Sequence, residues 1–277
     1  MQLEINIVDA FTDTVFKGNS AAVITTDSWL DDALMQSIAM ENNLSETAFL
    51  VADDSDKKEQ IAKVATYHIR WFSPLTEIAF CGHATLASAF VLFKKNPDVT
   101  TIKFVAKAVG TLSVVQTDSG KIQMDFPNTK PEKIDDIPEN LLAGLSIVPV
   151  EVYRNSQAYF VIYSAEADVL TVERDNEVLK QLAPLDVVVT CQAKSDKYEQ
   201  YDFISRYFWP ANGGDEDPVT GSIHTGLAPL WAEHLGKSQL LAYQASSRGG
   251  VLECEVADDR VLISGNAVQY MTGFITV

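Results

Sequence analysis

Residues 81–93 read Cys81-Gly82-His83-Ala84-Thr85-Leu86-Ala87-Ser88-Ala89-Phe90-Val91-Leu92-Phe93. From 82 to 93 this is a helical segment that is apolar nearly all round, and a helix without a polar face belongs inside a structure. Outward from it, the chain reads mostly as strands. Residues 5–11 and 21–24 flank a turn at Lys17-Gly18-Asn19-Ser20, and residues 64–72 are rich in β-branched and aromatic side chains until Pro74 closes them. Residues 101–107, 112–116 and 121–126 come next, the last two joined across Thr117-Asp118-Ser119-Gly120. Ser28 and Asp31 signal another helix start, with Leu30, Leu34 and Ile38 as its apolar stripe. It should end at Asn42-Asn43, because Asn tolerates the left-handed conformation of helix ends. Residues 47–51 then read as a strand and 53–58 as a solvated loop.

The pattern around the apolar helix is written twice. Arg70-Trp71-Phe72-Ser73-Pro74 recurs as Arg206-Tyr207-Phe208-Trp209-Pro210, Gly82 as Gly221, and Gly110-Thr111-Leu112 as Gly250-Val251-Leu252. Glu77 and Glu216 each stand shortly before the helix-opening glycine. These anchors keep one order at an offset of about 140 residues, too long for a solenoid and right for two similar domains. The expected boundary lies where Pro127 to Pro131 interrupt the strands, giving domains 1–127 and 128–277, with the last strand able to return to the first domain. Strands around one buried helix per half predict an α+β fold of two pseudo-symmetric domains, each a curled, barrel-like sheet around a central helix. No G-x-G-x-x-G or G-x-x-x-x-G-K-[ST] motif argues for a nucleotide fold.

Composition narrows the partners. The 277 residues are 47% apolar, enough for a sizeable core, and carry 38 acidic against 21 basic side chains, a net charge of −17. Such a field repels phosphate, which excludes nucleic acid and anionic membrane as main partners, so any anionic ligand must be held by local donors. Three cysteines make no disulfide framework. The start has no basic and apolar leader pattern, and the longest apolar stretch, 78–93, falls short of the ~18 residues of a membrane span. A cytoplasmic location is expected.

The chemistry concentrates at the helix openings. Cys81-Gly82-His83-Ala84 and Thr220-Gly221-Ser222-Ile223 each combine small residues with a helix start, where unpaired N–H groups and a partial positive charge favour a carboxylate. Gly82, Ala84, Thr220 and Gly221 are therefore candidate substrate-binding residues. Glu46 and Asn43 have capping-box spacing, but residues 47–51 alternate like a strand, so the box has no helix to cap. A carboxylate at such a junction among apolar neighbours is expected to have a raised pKa, as suits a general acid/base. His83, beside a helix N-terminus, is expected to be neutral; His68, within a strand, is structural. Asp217, Ser222 and His224 lack a G-x-S-x-G elbow, and Ser222 and His224 would not face each other on one helix, so a hydrolase triad is disfavoured. No His/Cys/carboxylate set shows metal-ligand spacing, so no metal is expected.

Asp9-Ala10-Phe11-Thr12, Phe16-Lys17-Gly18-Asn19-Ser20-Ala21-Ala22-Val23, Asn43-Leu44-Ser45-Glu46-Thr47-Ala48-Phe49, Cys81-Gly82-His83-Ala84-Thr85 and Glu216-Asp217-Pro218-Val219-Thr220-Gly221-Ser222-Ile223-His224 together resemble the phenazine-biosynthesis isomerase family, the PhzF-like proteins. With Arg248-Gly249-Gly250, the likeness covers nearly the whole chain. The resemblance implies a diaminopimelate-epimerase-like fold with the active site between two domains, a homodimer, and proton transfer without a cofactor. It implies Glu46 as the proton-moving group, with His83, Asp217 and Ser222 orienting substrate and relaying protons. Two departures stand out. Ser20 replaces a proline common among relatives, and Thr220 occupies the position of the second of two cysteines that related epimerases use, so a thiol pair cannot form. The expected function is a cofactor-independent isomerase acting on a small carboxylate. The alternatives are a non-catalytic carboxylate-binding protein, or a lyase or hydrolase using Asp217 and Ser222.

Overall fold

The computed structural model describes residues 1–53 and 63–277, so most of the loop expected over 53–58 lies outside the described residues. The chain divides into two compact units, Met1–Asp125 with Ser264–Val277, and Phe126–Ile263.

In the first unit the strands run, in spatial order, Ala267–Thr276, Gln2–Ala10, Asn19–Thr26, Glu46–Ala52, Val64–Phe72, Thr101–Ala106, Gly110–Gln116 and Ile122–Pro127. Most neighbours are antiparallel. Asn19–Thr26 with Glu46–Ala52, and Val64–Phe72 with Thr101–Ala106, are parallel. A parallel pair cannot be joined by a tight turn and needs a crossover, usually helical. The helices Asp32–Asn42 and Gly82–Lys95 supply those two crossovers. The first ends as expected, with Asn43 left-handed at φ 48° and its N–H donating to the Ala39 carbonyl.

The second crossover is the apolar helix, and every residue from Gly82 to Ala89 is buried. It packs against strands from the middle of the sheet, Asn19–Thr26 and Glu46–Ala52, and from near both ends, Gly110–Gln116 and Ala267–Thr276. The sheet therefore curls around it. The helix Asp32–Asn42 covers the sheet's other face, where Met35, Ile38 and Ala39 meet Ile24, Phe49 and Phe72. Covering on both faces explains why Glu46–Ala52 is buried over its first five residues instead of alternating.

The second unit repeats the plan. Ala158–Ile162 runs parallel to Asp186–Gln192, and Phe203–Phe208 parallel to Gln239–Gln244, with antiparallel neighbours between and beside them. Its buried crossover helix is His224–Leu235. The anchors read from sequence occupy matching places: Phe72 pairs with Glu77, and Phe208 with Glu216. Each arginine of the motif binds that glutamate and lies over that phenylalanine, Arg70 at 5.2 Å and Arg206 at 5.0 Å from the ring centre.

One expectation is corrected. The second buried helix starts at His224, not at Gly221. The N–H groups of His224, Thr225 and Gly226 donate to the carbonyls of Gly221, Ser222 and Ile223, a tighter turn preceding the α-helix. Among the described residues no helix is long and apolar enough to cross a membrane.

Enclosure of the first helix predicts an asymmetric response to truncation. Leu86→Ala, at a fully buried position, should cost ~2–5 kcal/mol in urea unfolding. Val148→Ala, at a position 83% exposed, should change stability by no more than about 0.5 kcal/mol.

Candidate active site

The first unit brings Glu46, Cys81, His83 and Asn19 together. Glu46 opens its strand directly after the left-handed turn at Asn43 and pairs with Ala21 in the parallel ladder. His83 is the second residue of the buried helix, whose N-cap is Cys81. Asn19 opens a strand after Gly18, which sits at φ +64° where a Cβ would lie 2.1 Å from the Ala10 carbonyl oxygen. Only glycine fits there. Asp9 accepts a hydrogen bond from the Phe16 N–H at 2.9 Å and so anchors the turn that delivers Asn19.

Glu46 is 8% exposed, with Oε2 2.9 Å from His83 Nε2. The contact is at ion-pair distance but off the direction a hydrogen bond prefers, and Oε2 has no hydrogen-bond partner. The apolar setting expected of Glu46 thus contains a histidine. Cys81 Sγ lies 3.4 Å from His83 Nδ1 and 3.8 Å from Nε2. Asn19 Nδ2 lies 3.1 Å from His83 Nδ1, and the Ser45 hydroxyl donates to Asn19 Oδ1 at 3.1 Å.

The electrostatics result from this packing. Burial pushes the Cys81 thiol up to about 11, and the Glu46 charge adds to that effect. Burial opposes a charged His83, but the neighbouring sulfur and the Glu46 carboxylate outweigh it and hold the imidazole well above its usual range. The neutral His83 expected from the helix terminus alone is therefore corrected: the neighbouring sulfur and carboxyl group raise the imidazole's pKa against both burial and the helix dipole.

The second unit holds Asp217, Thr220, Gly221 and Ser222 in a network of hydrogen bonds. The Thr220 hydroxyl donates to Asp217, and the Thr220 N–H donates to Gln244 Oε1 at 2.9 Å. Gln244, fully buried, donates in turn to the Asp217 carbonyl at 2.8 Å. Ser222 Oγ accepts from Gln157 Nε2 at 2.9 Å. Gln157 also reaches the Tyr207 hydroxyl, which donates to Asp186 at 2.6 Å. His224 Nδ1 lies 2.8 Å from the Thr220 carbonyl, and its ring stacks on Phe203. Ser222 and His224 thus have different partners and form no dyad. The Thr220 N–H is already occupied by Gln244.

Glu46, Cys81 and His83 are individually legible in sequence. Asn19 reads there only as a turn residue, Ser45 only as part of a motif, and Gln157 and Gln244 carry no local signal at all. The grooves beside Arg70, of about 380 and 450 Å³, include none of these residues.

The sequence pattern of the PhzC-PhzF family, described as phenazine biosynthesis-like protein, matches residues 8–273. The chain belongs to the PhzC-PhzF family. An uncharacterized isomerase of Pseudomonas aeruginosa is 45% identical over 273 residues, covering 99% of this chain and 98% of that protein. The crystal structure of a PhzF-family phenazine biosynthesis protein from Enterococcus faecalis is 40% identical, with a TM-score of 0.89 over 100% of both chains. A hydroxyproline epimerase from Agrobacterium vitis shares the fold alone, at 12% identity and a TM-score of 0.58 over 99% of this chain and 92% of that one. The α+β architecture expected from the repeat, which the resemblance identifies as epimerase-like, is thereby shared by the PhzF family and by an epimerase.

The protonation of His224 is testable. Burial holds its imidazole down to about 4, whereas an unfolded histidine titrates near 6.5. Between these values the unfolded chain binds the extra proton, so stability falls as pH falls. His224→Asn keeps a donor toward the Thr220 carbonyl without titrating. In denaturant unfolding the variant should lose about 2 kcal/mol less than the wild type between pH 7 and pH 5; equal losses would contradict a neutral, buried His224.

Proposed function

We propose that this protein is an isomerase that moves a proton between two carbons of a small carboxylate without a cofactor. The observation that carries the reading is the buried Glu46–His83 pair at the N-terminus of a buried helix. Those N–H groups and the imidazolium supply local positive charge within a chain of net charge −17, as a carboxylate substrate requires. Glu46 Oε2 has a lone pair free of hydrogen bonds. In the proposed reaction it takes a proton from a carbon next to an activating group and returns it to another carbon of the same molecule, so substrate and product have one composition. His83 holds Glu46 in place and stabilises negative charge developing beside it. Asn19, braced by Ser45, orients the ring.

Gly82 and Ala84 are proposed to bind the substrate carboxylate through their N–H groups. In the second unit, Asp217 and Ser222 are proposed to orient substrate and relay protons, with Thr220 and Gly221 shaping the backbone around it. The isomerase names of the relatives and the family's homodimer resemblance support carrying both properties to this chain; sedimentation equilibrium tests the second.

A thermal-shift screen of small carboxylates identifies ligands, since one that binds only the folded state raises its stability. Each is then incubated in deuterated water. Deuterium incorporation at unchanged composition supports the isomerase. Stabilisation without exchange assigns non-catalytic binding, and a product of lower mass assigns a lyase or hydrolase. Glu46→Gln should slow exchange by ~10²-fold or more while circular dichroism is unchanged. Cys81→Ala should keep most activity, because a buried, protonated thiol is a poor base. An active Glu46→Gln enzyme beside a folded but inactive Cys81→Ala enzyme would reverse the assignment.

A further inference from the structure

Three runs of this chain pass more than fourteen residues without an Asp, Glu, Lys or Arg: 78–93, 218–232 and 261–277. The first two hold most of the two buried helices. The third is the longest, yet it includes a strand, Ala267–Thr276, half of whose ten residues are exposed. That strand stands at one end of the first unit's sheet, beside Gln2–Ala10. Phe274 is 70% exposed, Tyr270 54% and Met271 40%. We infer that this strand is the contact surface for a second copy of the chain, the two strands pairing antiparallel across a two-fold axis.

A strand at the edge of a sheet presents a row of backbone groups to any strand that approaches, and proteins usually guard such edges with short length, lysine or proline. This one is ten residues long and has neither a charge nor a proline. Its register shifts opposite Ile7 and Val8, passing over Tyr270. The Tyr270 ring meets Phe16, itself 65% exposed, with ring centres 5.5 Å apart. Beyond that point Met271 lies opposite Ile7 and Phe274 opposite Glu4. Side chains alternate along a strand, so Met271 and Phe274 project from opposite faces. A partner packed on one face would leave the other exposed. A strand added at the edge covers both and supplies main-chain hydrogen bonds as well.

Charge selects a second copy as the occupant. Two chains of net charge −17 repel each other, and they approach most easily where neither presents ionisable side chains. The charges bordering the strand are already matched. Glu4 is paired with Lys95 at 2.8 Å, and Lys94 donates to Gln269 Oε1. A strand paired antiparallel with its own copy is self-complementary, and the contact closes at two chains. Phenylalanine, tyrosine and methionine are the residue types enriched in such contacts. The inference deepens the homodimer proposed above and rests on it to this extent: a monomeric wild type would end both.

The test is sedimentation equilibrium of the full chain over a dilution series. The wild type should be a dimer that dissociates on dilution. Met271→Lys and Phe274→Lys each set a charge on one face of the strand, and each should weaken association by about 30-fold or more with circular dichroism unchanged. Lysine lowers the net negative charge, so weaker association cannot come from added overall repulsion. Amide hydrogen exchange on the wild type needs no variant to fold: protection of residues 267–276 should fall as the dimer dissociates. A wild-type monomer would overturn the surface and the homodimer together, and assemblies larger than two would overturn the two-fold pairing. A dimer that persists in both variants, or whose dilution-dependent protection lies elsewhere, would overturn this surface and leave the homodimer standing.

Discussion

A helix with no polar face must be enclosed, and the rest of this structure depends on how Gly82–Lys95 is enclosed. The sheet curls because strands near both its ends pack on that helix. Enclosure carries the helix N-terminus inward too, so His83 enters the protein interior with its backbone. A charged imidazole there needs a counter-charge. Glu46 supplies it from the neighbouring strand, and the left-handed turn at Asn43 sets where that strand begins. The candidate site is thus a consequence of helix burial at its polar end.

The same plan carried out twice gives two different electrostatic results. Each unit has a buried crossover helix with a histidine in its opening turn. His83 faces a carboxylate and is held charged; His224 faces a carbonyl and an aromatic ring, and burial leaves it neutral. Around the first, the groups are ionisable. Around the second they are hydroxyls, amides and the carboxyl groups they bind, with Gln244 tying Asp217 to Thr220. The two units therefore share a scaffold and differ in the residues at the helix openings.

This divergence bears on chemistry. Where the first unit has Cys81, the second has Thr220, whose hydroxyl donates to Asp217 and whose N–H is occupied. A two-thiol mechanism has no second thiol. The first unit instead sets a carboxyl group against an imidazole, Glu46 Oε2 at 2.9 Å from His83 Nε2.

The sequence by itself determined the enclosed helix, the strands around it, the repeat and the helix-to-strand junction at Glu46, because these depend on local periodicity, turn residues and recurrence. It also identified Glu46, His83, Asp217 and Ser222 as candidates through short motifs. Only the tertiary structure decided what each of them touches. Asn19 looks like a turn residue until the fold sets it beside His83, and Gln244 is an ordinary strand end until it reaches Thr220. The start of the second helix shifted from Gly221 to His224 because a tighter turn precedes it. The upward shift of His83 depends on the adjacent Cys81 sulfur and also on a carboxyl group distant in the chain. Coulomb interactions fall with distance in space, not with separation along the sequence, so motif spacing alone could not reveal that pair.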